Sequence, residues 1–420
     1  MMKVLYVTAS CLTKNTSANM SHNAFVKGLI DCGCDVSVIM AKDSWGKEDK
    51  ALPRWESVKY YEYNAESWVE RLRKKGRTLG GEVLQVDVQS ETNIHKMKAA
   101  KDPTFFFNKN MVRTFMKKMF YAFVKHDSLY PLEYEMFHSV MAFKEKNSYD
   151  VVISNSSPAA SHKIVYLLAR AGNIKYKRWI QIWEDPWCYD LYGGYSPKVF
   201  EEEHRLLLVA SEVYYVSPLT MMYQKKYFED CSPKMSCVPL PFFSYTTERE
   251  QSASDGELVF GYFGDYYSQT RNLQPFYDAL HKTGYQGYIY GDSNLILKST
   301  DKIEISRRVT LDVLSDVQHK TNVLVHLCNL RGGQIPGKIY HYSATNKKIL
   351  FILDGTEEEQ EMIYGFFSRF NRYYFCNNTE NDIIETIYKM IIDNSVSNQV
   401  VQEFEPKNVV QMILNKESLI

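Results

Sequence analysis

The stretch that decides the fold is Arg331-Gly332-Gly333-Gln334-Ile335-Pro336-Gly337-Lys338-Ile339-Tyr340-His341-Tyr342-Ser343-Ala344. An apolar run at 323–327 precedes it and another at 349–353 follows it, and both are typical of buried parallel strands. Pro336 suits the first turn of a helix, and a helix of about three turns is expected from Lys338 onward. The stretch therefore predicts a strand–helix–strand unit with a glycine-rich loop.

The chemistry of this loop favours an anionic ligand. It leaves the carboxyl end of its strand, where open α/β sheets bind ligands. Gly332, Gly333 and Gly337 allow backbone N–H groups to approach an anion closely. Arg331 and Lys338 add positive charge beside the start of the helix. The arrangement suits a diphosphate.

Residues 335–342 resemble the Pro-x-Lys-Ile-x-Glu-Tyr segment of nucleotide-sugar glycosyltransferases with the GT-B fold, of the family-four type. The resemblance implies a transferase that retains the anomeric configuration. It also implies that Tyr340 and His341 lie beside the diphosphate and ribose of the donor. Many such enzymes carry two glutamates, where this chain has Gly333 and His341.

The length of 420 residues predicts two domains of roughly 200 residues each. No apolar run reaches the length of about 18 residues that a membrane span requires. The first residues are typical of a strand and not of a signal peptide. The eight cysteines are scattered, which favours free thiols and a cytoplasmic location.

Read in order, the apolar runs predict an α/β chain of the GT-B class, with two Rossmann-like, doubly wound domains and a cleft between them. The acceptor-side domain is expected at 1–240 and a proline-bearing, polar linker at 241–256. The donor domain is expected at 257–395. The resemblance implies that a helix in 396–420 returns to the first domain.

Three residues of the first domain are candidates for the acceptor side. Ser157 and Asp185 lie in loops that leave the carboxyl ends of neighbouring predicted strands, so both should face one crevice. Asp185 could orient or deprotonate an acceptor hydroxyl, or it could be a turn or N-cap carboxylate. His22 is the titratable group of a predicted polar loop at 13–23.

The second domain supplies the candidates for the donor. Arg271 follows a Gly-x-x-Gly turn ending at Gly264, which resembles the first phosphate-side loop of these transferases. Arg271 and Lys338 are the candidates for charge compensation on the leaving diphosphate, with a solvated surface charge as the alternative. Together with Asp185 they form the predicted catalytic set. The predicted donor-binding residues are Gly264, Arg271, Arg331, Gly333, Gly337, Lys338, Tyr340 and His341.

No metal or cofactor is expected. No Asp-x-Asp stands in a loop between apolar strands, and the spacing of His and Cys fits no zinc site. The nucleotide sugar is a substrate, and side chains and helix dipoles would compensate its charge.

Charge is uneven although the net charge is zero. An irregular insertion at 45–126 contains thirteen basic and four acidic residues between Arg71 and Lys125. Within it Met111–Lys125 is a predicted amphipathic helix with a basic face. Segment 96–125 could contact an anionic membrane surface, or the helix could be an ordinary one docked on the core. Nucleic acid is not expected as a partner, because no recognised motif accompanies the charge.

The sequence therefore predicts a glycosyltransferase that moves a sugar from a nucleotide-diphosphate donor to a glycan hydroxyl. The expected acceptor is a lipid-linked glycan of a bacterial surface polysaccharide, at the cytoplasmic face of the membrane. Two alternatives remain open. One is a nucleotide-sugar epimerase of the same shape, and the other is a catalytically silent nucleotide-binding protein.

Overall fold

The computed structural model describes residues 1–44, 47–49, 52–65, 129–130, 133–190, 195–243, 257–393 and 395–416. The predicted helix Met111–Lys125 and most of the predicted insertion and linker lie outside the described residues. The described chain forms two parallel sheets with helices on their faces. No helix among these residues is both long enough and apolar enough to cross a membrane.

The first sheet has seven parallel strands in the order β5-β3-β1-β6-β7-β8-β9. They are β1 (Lys3–Val7), β3 (Asp35–Ala41), β5 (Lys59–Tyr63), β6 (Ser148–Ser156), β7 (Lys175–Trp183), β8 (Glu212–Tyr215) and β9 (Met235–Cys237). A short antiparallel pair, β2 (Lys14–Asn15) and β4 (Lys47–Glu48), lies outside this sheet. The helices of this domain are α1 (Ser17–Asp31), α2 (Tyr134–Val140), α3 (Ala160–Arg170), α4 (Pro197–Val209) and α5 (Pro218–Tyr227), with a 3₁₀ segment at Glu229–Lys234.

The second sheet has six parallel strands in the order β12-β11-β10-β13-β14-β15. They are β10 (Val259–Phe263), β11 (Gln286–Tyr290), β12 (Ile303–Ser306), β13 (Val323–Leu327), β14 (Lys348–Leu353) and β15 (Tyr374–Asn377). The helices are α6 (Gln274–Thr283), α7 (Leu311–His319), α8 (Lys338–Tyr342), α9 (Glu357–Ser368) and α10 (Glu380–Ile392). A 3₁₀ segment at Gln402–Phe404 precedes the last helix, α11 (Pro406–Asn415).

The strand–helix–strand unit predicted around the opening stretch is present. All five residues of β13 are buried, and β14 pairs with it in parallel register. Continuous apolar runs form these strands because helices cover both faces of the sheet. The predicted two-domain α/β architecture is confirmed.

The last helix packs against the first domain. A Cβ atom placed on Gly28 of α1 would lie 2.2 Å from the carbonyl oxygen of Pro406, so only glycine permits this approach. Arg178 of β7 donates to the carbonyls of Ile413 (3.4 Å) and Leu414 (2.9 Å) at the end of α11. The chain thus returns across the cleft after completing the second sheet.

Two local predictions were wrong. The polar loop predicted at 13–23 is helical from Ser17 onward, because the Thr16 side chain caps the helix by accepting from the N–H of Asn19 at 3.1 Å. The helix predicted to run for three turns from Lys338 has five residues. Beyond its end the buried Arg372 donates to the carbonyls of Thr345 and Lys347.

Candidate functional site

A cavity of about 350 Å³ lies between the two domains. Its walls come from loops that follow β6 and β7 in the first domain and β10 and β13 in the second. All four loops leave the carboxyl ends of parallel strands, the edge at which such sheets bind ligands. The lining residues are Ser156, Ser157, Ala159, Trp183, Asp185, Pro186, Trp187, Asp190, Arg271, Asn329, Gln334, Ile335, Pro336 and Gly337.

One side chain bridges the two walls of this cavity. The amide nitrogen of Gln334 donates to a carboxylate oxygen of Asp185 at 2.6 Å and to one of Asp190 at 2.8 Å. The other amide atom, Oε1, is buried and has no hydrogen-bond partner among the described residues. Gln334 therefore holds two carboxylates of the first domain from the second domain, and its Oε1 atom is an acceptor that these contacts do not use.

The carboxyl groups of the β7 loop are shifted toward the protonated form. Asp185 remains open to solvent, but the surrounding protein of both domains raises the pKa of its carboxyl to about 6. Gln334 opposes this rise and Asp190 adds to it. Burial also raises the pKa of the neighbouring Glu184 well above its usual range, with a further rise from Asp185. A carboxyl with a pKa near neutrality is suited to proton transfer.

Positive charge comes from the second domain. The ammonium group of Lys338 donates to the carbonyl of Phe263, at the carboxyl end of β10. Although Lys338 is exposed along part of its length, burial of its ammonium group lowers its pKa to about 8. Asp265 opposes that shift, whereas Arg308 and Arg271 add to it. The three cations therefore lie close enough to interact, as a site for a polyanion requires.

Arg308 was missed by the sequence analysis. Its guanidinium forms a two-bond pair with Asp265, and the distance from Nε to the nearer carboxylate oxygen is 2.8 Å. Arg308 follows β12, a strand that the sequence analysis did not identify. A predicted strand at Ile303–Ser306 would have placed Arg308 in a loop at the ligand-binding edge. Recognising this strand in the sequence would therefore have identified Arg308 as a candidate site residue.

The glycines at 332 and 333 serve the contact between the domains. Both have left-handed backbone conformations, with φ of 96° and 73°. The carbonyl of Gly333 accepts hydrogen bonds from the hydroxyls of Ser217 and Thr220. A Cβ at Gly333 would come within 3.1 Å of side chains on α5. The geometry of this turn thus requires glycine for packing as well as for conformation.

Tyr340 and His341 do not line the cavity. The buried Tyr340 hydroxyl donates to the carbonyl of Val216 at 2.9 Å and so ties α8 to the first domain. The Nδ1 atom of His341 accepts from the backbone N–H of Phe243 at 3.4 Å. Burial, with a contribution from Lys338, lowers the pKa of His341 to about 4, so its ring is neutral at pH 7.

His22 lies beneath the acceptor-side loop and not within it. Its ring is fully buried, with Nδ1 2.8 Å from the Tyr6 hydroxyl and Nε2 3.4 Å from the carbonyl of Ser157. Burial lowers its pKa to about 4. The expectation that His22 titrates near pH 7 in a polar loop is therefore wrong.

The structure brings together part of the predicted site. Four predicted residues line the cavity, namely Ser157, Asp185, Arg271 and Gly337. Lys338 is the next residue in the chain after Gly337. Seven do not line the cavity, namely His22, Gly264, Arg331, Gly333, Lys338, Tyr340 and His341. Gln334 and Asn329 line it but were missed, because nothing in a single sequence separates them from ordinary loop residues.

Among the described residues, one group of side chains outside the cleft could hold a metal ion. Ligand atoms of His204, Asp230 and Cys231 lie within 4.8 Å of one another, on α4 and the following 3₁₀ segment. His204 is already paired with Asp230 at 2.8 Å. No sequence motif predicts this group, because His204 lies 26 residues before Asp230 in the chain. It does not line the cavity between the domains.

This architecture also occurs in proteins of known structure. No family model matches the chain, and no curated protein matches it significantly. Solved structures do match it along nearly its whole length, and they include GT-B glycosyltransferases. The chain therefore has the GT-B fold, as predicted.

Three of these structures illustrate the similarity. A sucrose-phosphate synthase from Thermosynechococcus elongatus aligns over 98% of this chain and 94% of its own, with 11% identity and a TM-score of 0.54. A glycosyltransferase from Rickettsia africae aligns over 100% and 94%, with 12% identity and a TM-score of 0.52. The E. coli trehalose-6-phosphate synthase bound with UDP-2-fluoro glucose aligns over 99% and 98%, with 8% identity and a TM-score of 0.51.

Proposed function

We propose that this chain is a glycosyltransferase that moves a sugar from a nucleoside diphosphate to a hydroxyl of a glycan. One observation carries the proposal. The cavity between the domains has a carboxyl of raised pKa, Asp185, on one wall and the Arg271 guanidinium on the other, with Lys338 adjacent. Transfer needs both a proton acceptor for the incoming hydroxyl and positive charge for the leaving diphosphate.

The donor is assigned to the second domain. Arg271 and Lys338 supply positive charge near the carboxyl end of β10, and Arg308, which is paired with Asp265, lies near them. Displacing the carbonyl contact of Lys338 by a phosphate oxygen would replace a neutral acceptor with a charged one, which is the stronger interaction. His341 does not line the cavity, so its assignment to the ribose rests on the resemblance alone. We include retention of the anomeric configuration in the proposal because the resemblance implies it.

The acceptor is assigned to the first domain. Asp185 accepts the hydroxyl proton, and Ser157 lies on the same wall of the cavity. Trp183 and Trp187 offer ring faces on which a sugar can pack. We assign the acceptor to lipid-linked glycans of a surface polysaccharide. The basic segment 96–125, which lies outside the described residues, would hold the enzyme on an anionic membrane.

Incubation with labelled nucleotide sugars tests the proposal. A glycosyltransferase releases the nucleoside diphosphate faster when an acceptor is present. An epimerase converts the sugar without an acceptor, and a silent protein binds without turnover. Turnover that depends on the acceptor and on Asp185 supports transfer, and either other pattern contradicts it.

A further inference from the structure

A second cavity, of about 280 Å³, adjoins the first. It is lined by Pro186, Tyr189, Thr220, Tyr223, Gln224, Tyr227, Gly332 and Glu359. Pro186 lines both cavities, and Gly332 lies two residues before Gln334. The two cavities thus share the β7 loop and the glycine-rich loop. Neither Arg271 nor Lys338 lines the second cavity, so it is separate from the charges assigned to the donor.

Three of the eight residues that line this second cavity are tyrosines. The rings of Tyr189 and Tyr227 stack with centroids 4.1 Å apart and an angle of 21° between their planes. Tyr189 holds its ring there from a left-handed backbone, φ 66°, which bulky residues rarely adopt. Tyr223 lies one helical turn before Tyr227 on α5. Flat aromatic faces pack well against the C–H faces of a pyranose ring.

Gln224 and Glu359 bring hydrogen-bond acceptors to the second cavity. Gln224 is 1% exposed, and its Oε1 atom pairs with none of the described residues. Its amide nitrogen has a long contact of 3.5 Å with the carbonyl of Cys188. Glu359 accepts from the Tyr223 hydroxyl at 3.1 Å. A buried acceptor without a donor is costly, and a ligand hydroxyl could satisfy it after a small rotation of the side chain.

We propose that the second cavity is a subsite for a neutral saccharide unit, the one next to the reacting sugar in an extended glycan acceptor. Stacked rings with hydroxyl-accepting groups fit a sugar, and neither Arg271 nor Lys338 lines this cavity to bind a diphosphate. Pro186 lines both cavities and directly follows Asp185 in the chain, so a glycan in the second cavity could reach the first. This inference rests on the proposed function, which assigns the acceptor to that wall.

The test is ligand-observed saturation-transfer NMR on the full chain, with UDP, ADP and GDP tested first for binding. The saccharide probes are maltose, cellobiose, lactose and N,N′-diacetylchitobiose. We expect at least one disaccharide to bind wild type. Gln224→Met removes the acceptor at similar volume and should weaken that binding by roughly five- to tenfold. Tyr227→Ala removes half of the stacked pair and should weaken it similarly.

Tyr388→Ala is the matched control, since Tyr388 is an exposed tyrosine on α10 that lines neither cavity. It should bind the disaccharide as wild type does, and all variants should keep wild-type nucleotide affinity. Equal disaccharide affinity in wild type, Gln224→Met and Tyr227→Ala would overturn the subsite. So would failure of every disaccharide to bind, or displacement of the bound disaccharide by choline, which indicates a cation site. If wild type binds none of UDP, ADP and GDP, that result would instead count against the proposed function.

Discussion

Gln334 donates a hydrogen bond of 2.6 Å to Asp185 across the cleft, from the glycine-rich loop of one domain to the β7 loop of the other. The same amide group holds Asp190 at 2.8 Å. This contact lowers the pKa of Asp185 against the upward effect of the surrounding protein. Gln334 therefore connects the closure of the two domains to the protonation of the proposed base.

Gln334→Leu tests that connection. Without the amide donors the pKa of Asp185 should rise above its value of about 6, because the surrounding protein and Asp190 are no longer opposed. The acid limb of kcat/KM against pH should therefore move to higher pH. Gln274→Leu is the control, since Gln274 makes a similar contact with Asp278 within one helix. An acid limb that stays in place in Gln334→Leu would contradict the account.

Asp185→Asn should keep the shape of the cavity and remove the proton acceptor. We expect kcat to fall by roughly 10²–10⁴-fold, the usual contribution of a positioned general base. Nucleotide affinity should change little, because the donor is assigned to the other domain. Single-turnover transfer and calorimetric binding measure the two quantities separately. Transfer at the wild-type rate would remove Asp185 from the mechanism.

Lys338→Ala should weaken nucleoside diphosphate binding by roughly 1.5–3 kcal/mol, the range for a charge-assisted contact. Lys348→Ala is the control. Lys348 also donates to a backbone carbonyl, that of Met390, but it lies at the amino end of β14, the opposite edge of the sheet. Calorimetry with UDP and GDP provides the comparison. Equal affinities in wild type and folded Lys338→Ala would exclude Lys338 from the donor site.

Transfer should depend on pH in two directions. Asp185 has a raised pKa of about 6, so it becomes protonated and loses its function as a base below that pH. Lys338 has a lowered pKa of about 8, so it loses its charge above that pH. The profile of kcat/KM should be bell-shaped between these limits, because kcat/KM reports the pKa values of groups in the free enzyme. A profile without an acid limb would contradict the assignment of Asp185.

The basic segment makes a separate prediction about location. Wild type should sediment with anionic vesicles at low salt and be released at high salt, since each basic residue near such a surface contributes about 1 kcal/mol. Changing Arg113, Lys117 and Lys125 to Glu should reduce this binding. The same change at the exposed Lys282, Lys302 and Lys389 gives the charge-matched control. Wild type that stays in the supernatant at low salt would favour a soluble acceptor.

The sequence was sufficient for the architecture because continuous apolar runs are a direct consequence of burial on both faces. It placed β13, β14 and the loop between them, and it identified Arg271 and Asp185, which line one cavity. Loop ends of parallel strands meet at one edge, so their positions follow from topology.

The sequence was insufficient where distant contacts decide. His22 was predicted in a loop because Asn19 and Asn23 interrupt the apolar period of α1, yet both donate through their amides to backbone carbonyls. Gln334 became important only through its partners on the other domain, 149 and 144 residues away in the chain. Such pairings depend on how two sheets are brought together, and local patterns do not encode that.

The central claim is that a sugar leaves its nucleoside diphosphate for an acceptor hydroxyl in the cavity between Asp185 and Lys338. The most direct measurement is release of UDP, ADP or GDP from labelled nucleotide sugars, with and without a mixture of lipid-linked glycans. Wild type, Asp185→Asn and Lys348→Ala should be compared. The account predicts acceptor-dependent release by wild type and Lys348→Ala, and almost none by Asp185→Asn. Binding of the nucleotide sugar without acceptor-dependent release, or equal release by all three proteins, would contradict it.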